Sequence, residues 1–312
     1  MSSKMLPYVW RNSTSPAQDI NAVLNASRAA IDALLHEHGA ILFRGFGLDT
    51  VEKFEACTAA MPSSGASYID GNSPRTKLTS SVYTSTEFPP ELPISMHNEL
   101  SYSHSWPSRL YFCCITPAQT GGSTTVADGR ALLAALSPAT LKLFEERGVT
   151  YVRNLHGGNG MGKSWQSTFE TSERGVVESY CKAGNIEYSW SGAGDLRLVQ
   201  RRPATAVHPV TGAKVWFNQV DQFHPSTNPP EVYEAIQEIY GDTPFEMPQY
   251  GCFGDGSPIP EAMLDEVRAA ATAVSVAFQW EQGDMMMVDN MLTLHGRSPF
   301  TGARRILVAM SN

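Results

Sequence analysis

Residues 94–109, ISMHNELSYSHSWPSR, decide how the chain is read, because they hold His97-x-Glu99. The pattern predicts a strand over Ile94 to Leu100, where side chains two apart point to the same face. His97 and Glu99 then project together and Asn98 faces away. A neutral imidazole beside a carboxylate gives two of the three ligands in the two-His, one-carboxylate set that holds non-haem Fe(II) and leaves positions open. A lone His-x-Glu is a weak signal, and its surroundings strengthen it. The flanking Ile94, Met96 and Leu100 are apolar. A carboxylate buried among them needs a partner, and a cation supplies one.

The third ligand is sought in MVDNMLTLHGRSPF, where an apolar strand delivers His295 just before a glycine. Soon afterwards Arg304 and Arg305 precede the apolar run Ile-Leu-Val-Ala-Met. An Arg facing the interior of such a strand needs an anion. A dicarboxylate cosubstrate would provide it through a bidentate pair. Neighbours on a strand alternate, so one of the two Arg points inward.

Around these stretches the chain reads as many short strands with turn signals, plus helices at the start and in insertions. A helix is expected over Ser15 to His38, from the spacing of Ile20, Leu24, Ile31 and Leu35, with Gly39 as its stop. A second runs from Thr50, a plausible N-cap, to Met61. Residues 62–90, rich in Ser, Thr, Gly and Pro, read as a long loop with short strands, part of it a lid or substrate loop. Strands are expected over 40–43, 109–115, 123–127, 149–154, 197–207, 214–218, 274–280, 284–289 and 305–310. Further helices are expected over 138–147, 231–240 and 260–271, and 176–182 fits either state. The glycines of NLHGGNGMG, residues 154–162, lack the G-K-S/T spacing of a phosphate loop. The fold class expected from this pattern is mainly β with helical insertions, a β-barrel or jelly roll decorated by helices. No repeat or composition shift marks a boundary, so residues 1–312 are expected to form one domain, with 1–39 as an N-terminal extension and helix.

The totals narrow the function classes. A net charge of −8 and the lack of a basic patch argue against nucleic-acid binding. No apolar run approaches a membrane span, and the first twenty residues lack the pattern of a secretion signal. Five cysteines, odd in number and without a C-x-x-C pair, suit a reduced, cytoplasmic protein. Cys113 and Cys114 lie in an apolar run and read as core thiols.

Taken together, His97-Asn98-Glu99, Gly121-Gly122-Ser123-Thr124, His208-Pro209-Val210-Thr211-Gly212, and His295 with Arg304-Arg305 resemble the TauD/TfdA superfamily of Fe(II)/2-oxoglutarate-dependent dioxygenases. The resemblance runs from about residue 40 to the end and implies a double-stranded β-helix (jelly-roll, cupin-like) core with N-terminal helices. Shorter strings resemble its SyrP-like branch, which acts in non-ribosomal peptide and unusual amino-acid pathways. They are Ser73-Pro74-Arg75, Val82 to Glu87, Trp216-Phe217-Asn218-Gln219 and Asp289-Asn290-Met291. The resemblance implies Fe(II) ligation by His97, Glu99 and His295, with dioxygen as the oxidising cosubstrate. It places the far carboxylate of 2-oxoglutarate on Arg305, helped by Thr124. In the taurine enzyme an Arg four residues further on grips the substrate sulfonate; that position, Ala309 here, argues against a sulfonate. Related halogenases carry a small residue in place of the ligating carboxylate, so Glu99 favours hydroxylation.

The expected substrate is a small molecule, an amino acid or amino-acid-derived metabolite of specialised biosynthesis, free or tethered to a carrier protein. Arg75, Arg153, Asn154 and Gln219 are the candidate substrate-binding residues, with His156 nearby. Asn98, Asp289 and Asn290 are candidates for supporting the ligands. Alternatives from other classes are a catalytically silent cupin-like regulator or binding protein, and a metal-dependent isomerase or hydrolase. Within the oxygenase class, desaturation or cyclisation stands beside hydroxylation. Substrate identity and oligomeric state are not legible in the sequence.

Overall fold

The structure is a computed structural model and describes residues 5–14, 18–61, 68–160 and 162–312. Two sheets position the site. The larger has six strands in the order Tyr8–Arg11, Ala40–Arg44, Met285–Asp289, Arg109–Thr116, Arg305–Ser311, Val82–Thr84. Its first pair is parallel and the rest antiparallel. The second sheet has four antiparallel strands in the order Ser275–Phe278, Thr124–Asp128, Thr293–Arg297, Ile94–His97. Hydrogen bonding does not close these sheets into a barrel among the described residues.

The near-continuous apolar runs of the large sheet follow from burial on both faces. Alternate residues divide cleanly. Leu42, Phe112, Met286, Ile306 and Val308 pack with Val126 and Leu294 of the small sheet, in the space that holds the site. Phe43, Cys113, Met287, Leu307 and Ala309 pack on the other side, against Leu24, Ile31, Leu35 and Phe54 of the N-terminal helices. This division later decides which Arg faces inward.

Residues 129–274 separate the paired strands Thr124–Asp128 and Ser275–Phe278. They build a third sheet in the order Gln249–Phe253, Val149–Leu155, Leu196–Arg202, Glu187–Trp190. Packed with it is the helix Arg174–Ala183, whose Val177 and Cys181, one turn apart, are buried; this settles the segment that fitted either state.

Several boundaries differ from expectation for local reasons. The helix expected over Ser15 to His38 is two, Ile20–Ala26 and Arg28–His38, broken at Ser27; residues 15–17 of that span lie outside the described residues. Its stop is as expected, with Gly39 left-handed at φ 81°. The strand expected over 197–207 divides at Pro203, which has no N–H for the ladder. The strand expected over Ile94 to Leu100 ends at His97, and Leu100 adopts φ 57°. Glu99 therefore stands in a turn. No helix among the described residues is long and apolar enough to cross a membrane.

Candidate metal centre

His97 is the last residue of its strand and pairs directly with His295 on Thr293–Arg297. That register brings the two imidazoles together, with ring centroids 4.4 Å apart. The ligand atoms of His97, Glu99 and His295 all lie within 4.8 Å of one another, and all three residues are buried. Burial pushes both imidazoles below the usual histidine range, His295 further because His97 and Arg75 also oppose its charge. Both are neutral at pH 7, as a metal ligand must be. His97 holds its Nδ1 2.9 Å from the carbonyl of Ser95, which leaves Nε2 free to ligate. His295 Nδ1 is buried without a hydrogen-bond partner among the described residues. Two neutral imidazoles and one buried carboxylate fit a divalent iron with positions to spare.

The turn that carries Glu99 is held by asparagines. The Glu99 backbone N–H donates to Asn290 Oδ1 at 2.8 Å, and Asn290 Nδ2 donates back to the Glu99 carbonyl at 2.9 Å. Asn98 Nδ2 donates to the carbonyls of Asn290 and Thr293, at 2.6 and 3.3 Å. These bonds bring Glu99 back beside His97 after the strand has ended. The carboxylate has two further partners: the Tyr68 hydroxyl donates to Oε1 at 3.2 Å, and Arg75 forms an ion pair with Oε2. Arg75 Nε and Nη1 are buried with no hydrogen-bond partner among the described residues.

A cavity opens beside the imidazoles, lined by Arg75, Phe112, Thr124, Arg297, Arg304 and Ile306 among others. Arg304 is the inward member of the Arg pair. A bulge falls between Arg305 and Ile306, and Arg305 is exposed. Alternation does place Arg305 with Leu307 and Ala309, but that face packs under the N-terminal helices, away from the cavity. Arg304 has no carboxylate partner among the described residues; its Nε donates to the Gly122 carbonyl at 3.3 Å. Burial, and then Arg297 beside it, push it down to about 10. Gly122 makes the approach possible. At φ 67° it holds a left-handed backbone, and a Cβ there would lie 3.2 Å from Arg304 Cδ and 2.8 Å from Ala118 Cβ. Thr124 also lines the cavity, its hydroxyl accepting from Trp280 Nε1 at 2.8 Å.

Arg153, Asn154 and Gln219 do not line this cavity. Arg153 is spent on a buried ion pair with Asp70 and lies 5.1 Å over the Tyr102 ring. Asn154 donates to the carbonyls of Phe245 and Met247, and Gln219 accepts from the Ser101 N–H and hydroxyl. Each satisfies the backbone or charge of a neighbouring segment, a demand no local pattern reveals. His156 sits on a loop, with Nδ1 accepting from the Gly158 N–H. Two residues around the site escaped the sequence reading: Arg297, which lines the cavity, and Tyr68, which donates to Glu99. Arg297, two positions after His295 on the same strand, could have been found by alternation; its guanidinium donates to the carbonyls of Phe88, Pro89 and Leu92. Tyr68 carries no local signal.

Two facing sheets, antiparallel but for one edge pair, a two-His, one-carboxylate cluster between them and an Arg with no carboxylate partner among the described residues in the adjoining cavity define a non-haem iron dioxygenase that uses 2-oxoglutarate and dioxygen. The chain matches the family described as taurine catabolism dioxygenase TauD, TfdA family over residues 6–310, and it belongs to that family. It is 34% identical over 284 residues to the dapdiamide synthesis protein DdaC of Enterobacter agglomerans, covering 91% of this chain and 85% of that protein. It is 29% identical over 288 residues to a clavaminate synthase-like protein of Arabidopsis thaliana, covering 90% and 83%. Its fold is similar to that of PvcB from Pseudomonas aeruginosa, with a TM-score of 0.56 at 14% identity over 99% of this chain and 87% of that one.

Proposed function

We propose that this dioxygenase hydroxylates an unactivated C–H of an amino acid or amino-acid-derived metabolite, free or tethered to a carrier protein, in a cytoplasmic biosynthetic pathway. The reading takes residues 1–312 as one oxygenase domain, with 1–39 as an N-terminal extension. Its main support is that His97 and His295, which cluster with Glu99, line one cavity with Arg304, a cation without a carboxylate partner among the described residues. His97, Glu99 and His295 hold the iron. Arg304, with Thr124, takes the far carboxylate of 2-oxoglutarate by charge-assisted hydrogen bonds. With dioxygen and 2-oxoglutarate, the bound iron supplies an oxidant strong enough for an unreactive C–H. The protein's part is to orient that C–H and exclude water, with Phe112 and Ile306 forming apolar wall.

Arg75 is the substrate-facing cation. One arm holds Glu99, and Nε and Nη1 remain to receive an anionic group, as an amino-acid carboxylate would offer. The Arg that grips the sulfonate in the taurine enzyme has no counterpart at the matching position. Counted from Arg304, the position four residues on is Val308, which is buried and apolar. The intact Glu99 favours hydroxylation over halogenation. The naming of DdaC for dapdiamide synthesis supports an amino-acid-derived substrate. The five cysteines are free and buried, which suits a reducing compartment.

The test is succinate release from 2-oxoglutarate, screened across free and carrier-loaded amino acids. One group of substrates should stimulate release and gain one oxygen atom, and Glu99→Ala should abolish both. Release that is stimulated by no amino-acid substrate, free or carried, would contradict the substrate class.

A further inference from the structure

Among the described residues there is a second cluster of potential metal ligands. His36, His208 and Asp289 bring their ligand atoms within 4.8 Å of one another. The rings of His36 and His208 meet edge-on with centroids 5.5 Å apart. The hydrogen bonds of His208 point to another role. Its Nδ1 accepts from the backbone N–H groups of Val210 and Thr211, at 3.3 and 3.1 Å. A backbone N–H can only donate, so a neutral His208 carries its proton on Nε2. Nε2 is the atom 3.0 Å from Asp289 Oδ2, and it is a donor there, with no lone pair to offer a metal.

Asp289 passes this constraint on. Its Oδ1 accepts from the backbone N–H groups of Met291 and Leu292, both at 3.0 Å, and so closes the turn after the strand Met285–Asp289. The turn carries Asn290, which grips the Glu99 backbone from both sides, and it leads into the strand of His295. His97 is fixed in turn by pairing with His295. Every member of the metal cluster therefore depends on residues 289–293. His208, Asp289 and Asn290 are 5%, 5% and 0% exposed, so water does not replace a lost bond.

We propose that His208 and Asp289 are positioning residues of the metal centre. Their buried hydrogen bond fixes the 289–293 turn and, through Asn290, sets where the Glu99 carboxylate stands. The inference rests on His97, Glu99 and His295 being the iron ligands. The tautomer is part of it: His208 must accept at Nδ1 and donate at Nε2.

The test is anaerobic titration of the metal-free protein with Co(II), reading affinity and visible absorption, with the thermal midpoint recorded separately. Asp289→Asn keeps an oxygen for the two turn N–H groups but turns an N–H toward His208. It should weaken Co(II) binding about tenfold and alter the visible band. His208→Phe keeps the ring and loses both nitrogens, and should do the same. His208→Gln, whose amide N–H can reach Asp289, should bind more tightly than His208→Phe. Val267→Ala, in the core helix Glu261–Ala273, should lower the thermal midpoint and leave Co(II) binding alone. Wild-type affinity and absorption in Asp289→Asn would overturn the proposal. So would His208→Gln binding no more tightly than His208→Phe, or Val267→Ala losing affinity to the same degree. Wild type and Glu99→Ala binding Co(II) alike would instead contradict the ligand assignment beneath it.

Discussion

At the scale of the residue, the strongest consequence concerns two neighbouring cations. Arg304→Ala should raise the KM for 2-oxoglutarate by roughly 10- to 100-fold, the value of one charge-assisted hydrogen-bonded pair. Arg305→Ala, at an exposed position, should leave it unchanged. Steady-state kinetics on the two variants checks this, and the reverse result would put the inward face on the wrong residue. The case also marks the limit of reading the sequence. Alternation groups Arg305 with Leu307 and Ala309, and those two pack under the N-terminal helices. Both faces of that strand are apolar, however, and only the packed helices tell which one is the interior. That His97, Glu99 and His295 come together was legible, because metal ligation would demand particular atoms at particular spacings. Glu99 came from a strand that ends two residues too early, and its place is kept by Asn98 and Asn290 instead.

At the scale of the element, strands and helices with strong periodicity were readable and the junctions between them were not. AILF, RLYFCCI and ILVAM became strands of one sheet, but the break at Ser27 and the split at Pro203 needed the packed structure. One junction carries a pH dependence. His224 follows the short helix Val220–Phe223, and its Nδ1 accepts from the Ser226 N–H at 3.2 Å. Burial, with Arg268 nearby, pushes it down to about 4. Its unfolded-state pKa is near 6.5, so between those values the unfolded chain takes up a proton that the folded chain does not. This contribution is fully present above about pH 6.5 and is lost as pH falls toward about 4. After allowance for partial exposure the loss is on the order of 1–2 kcal/mol. Urea unfolding between pH 7 and pH 4 should show it for wild type and show less of it for His224→Gln. Equal slopes in the two proteins would remove His224 as the cause.

At the scale of the molecule, the site is assembled from segments far apart in the chain. His97 and Glu99 come from the end of the strand Ile94–His97 and the turn after it, His295 and Arg304 from near the C-terminus, and Tyr68 and Arg75 from the segment that precedes the strand Val82–Thr84. That last segment is anchored by Asp70, which is fully buried and receives Arg153, Tyr180 and Gln200. A buried ion pair of this kind is better understood as fixing a conformation than as adding stability. Arg153, read from the sequence as a polar group near the mouth of the site, is instead tied to Asp70, in the segment that carries Arg75. The central claim, that these pieces converge on an iron centre binding 2-oxoglutarate, has one direct measurement. Fe(II) and 2-oxoglutarate are added anaerobically to the metal-free protein while the visible spectrum is recorded. A metal-to-ligand charge-transfer band that needs both additions, is lost in Glu99→Ala and is weakened in Arg304→Ala is the predicted result. Wild-type protein that binds Fe(II) but develops no such band with 2-oxoglutarate would contradict the account.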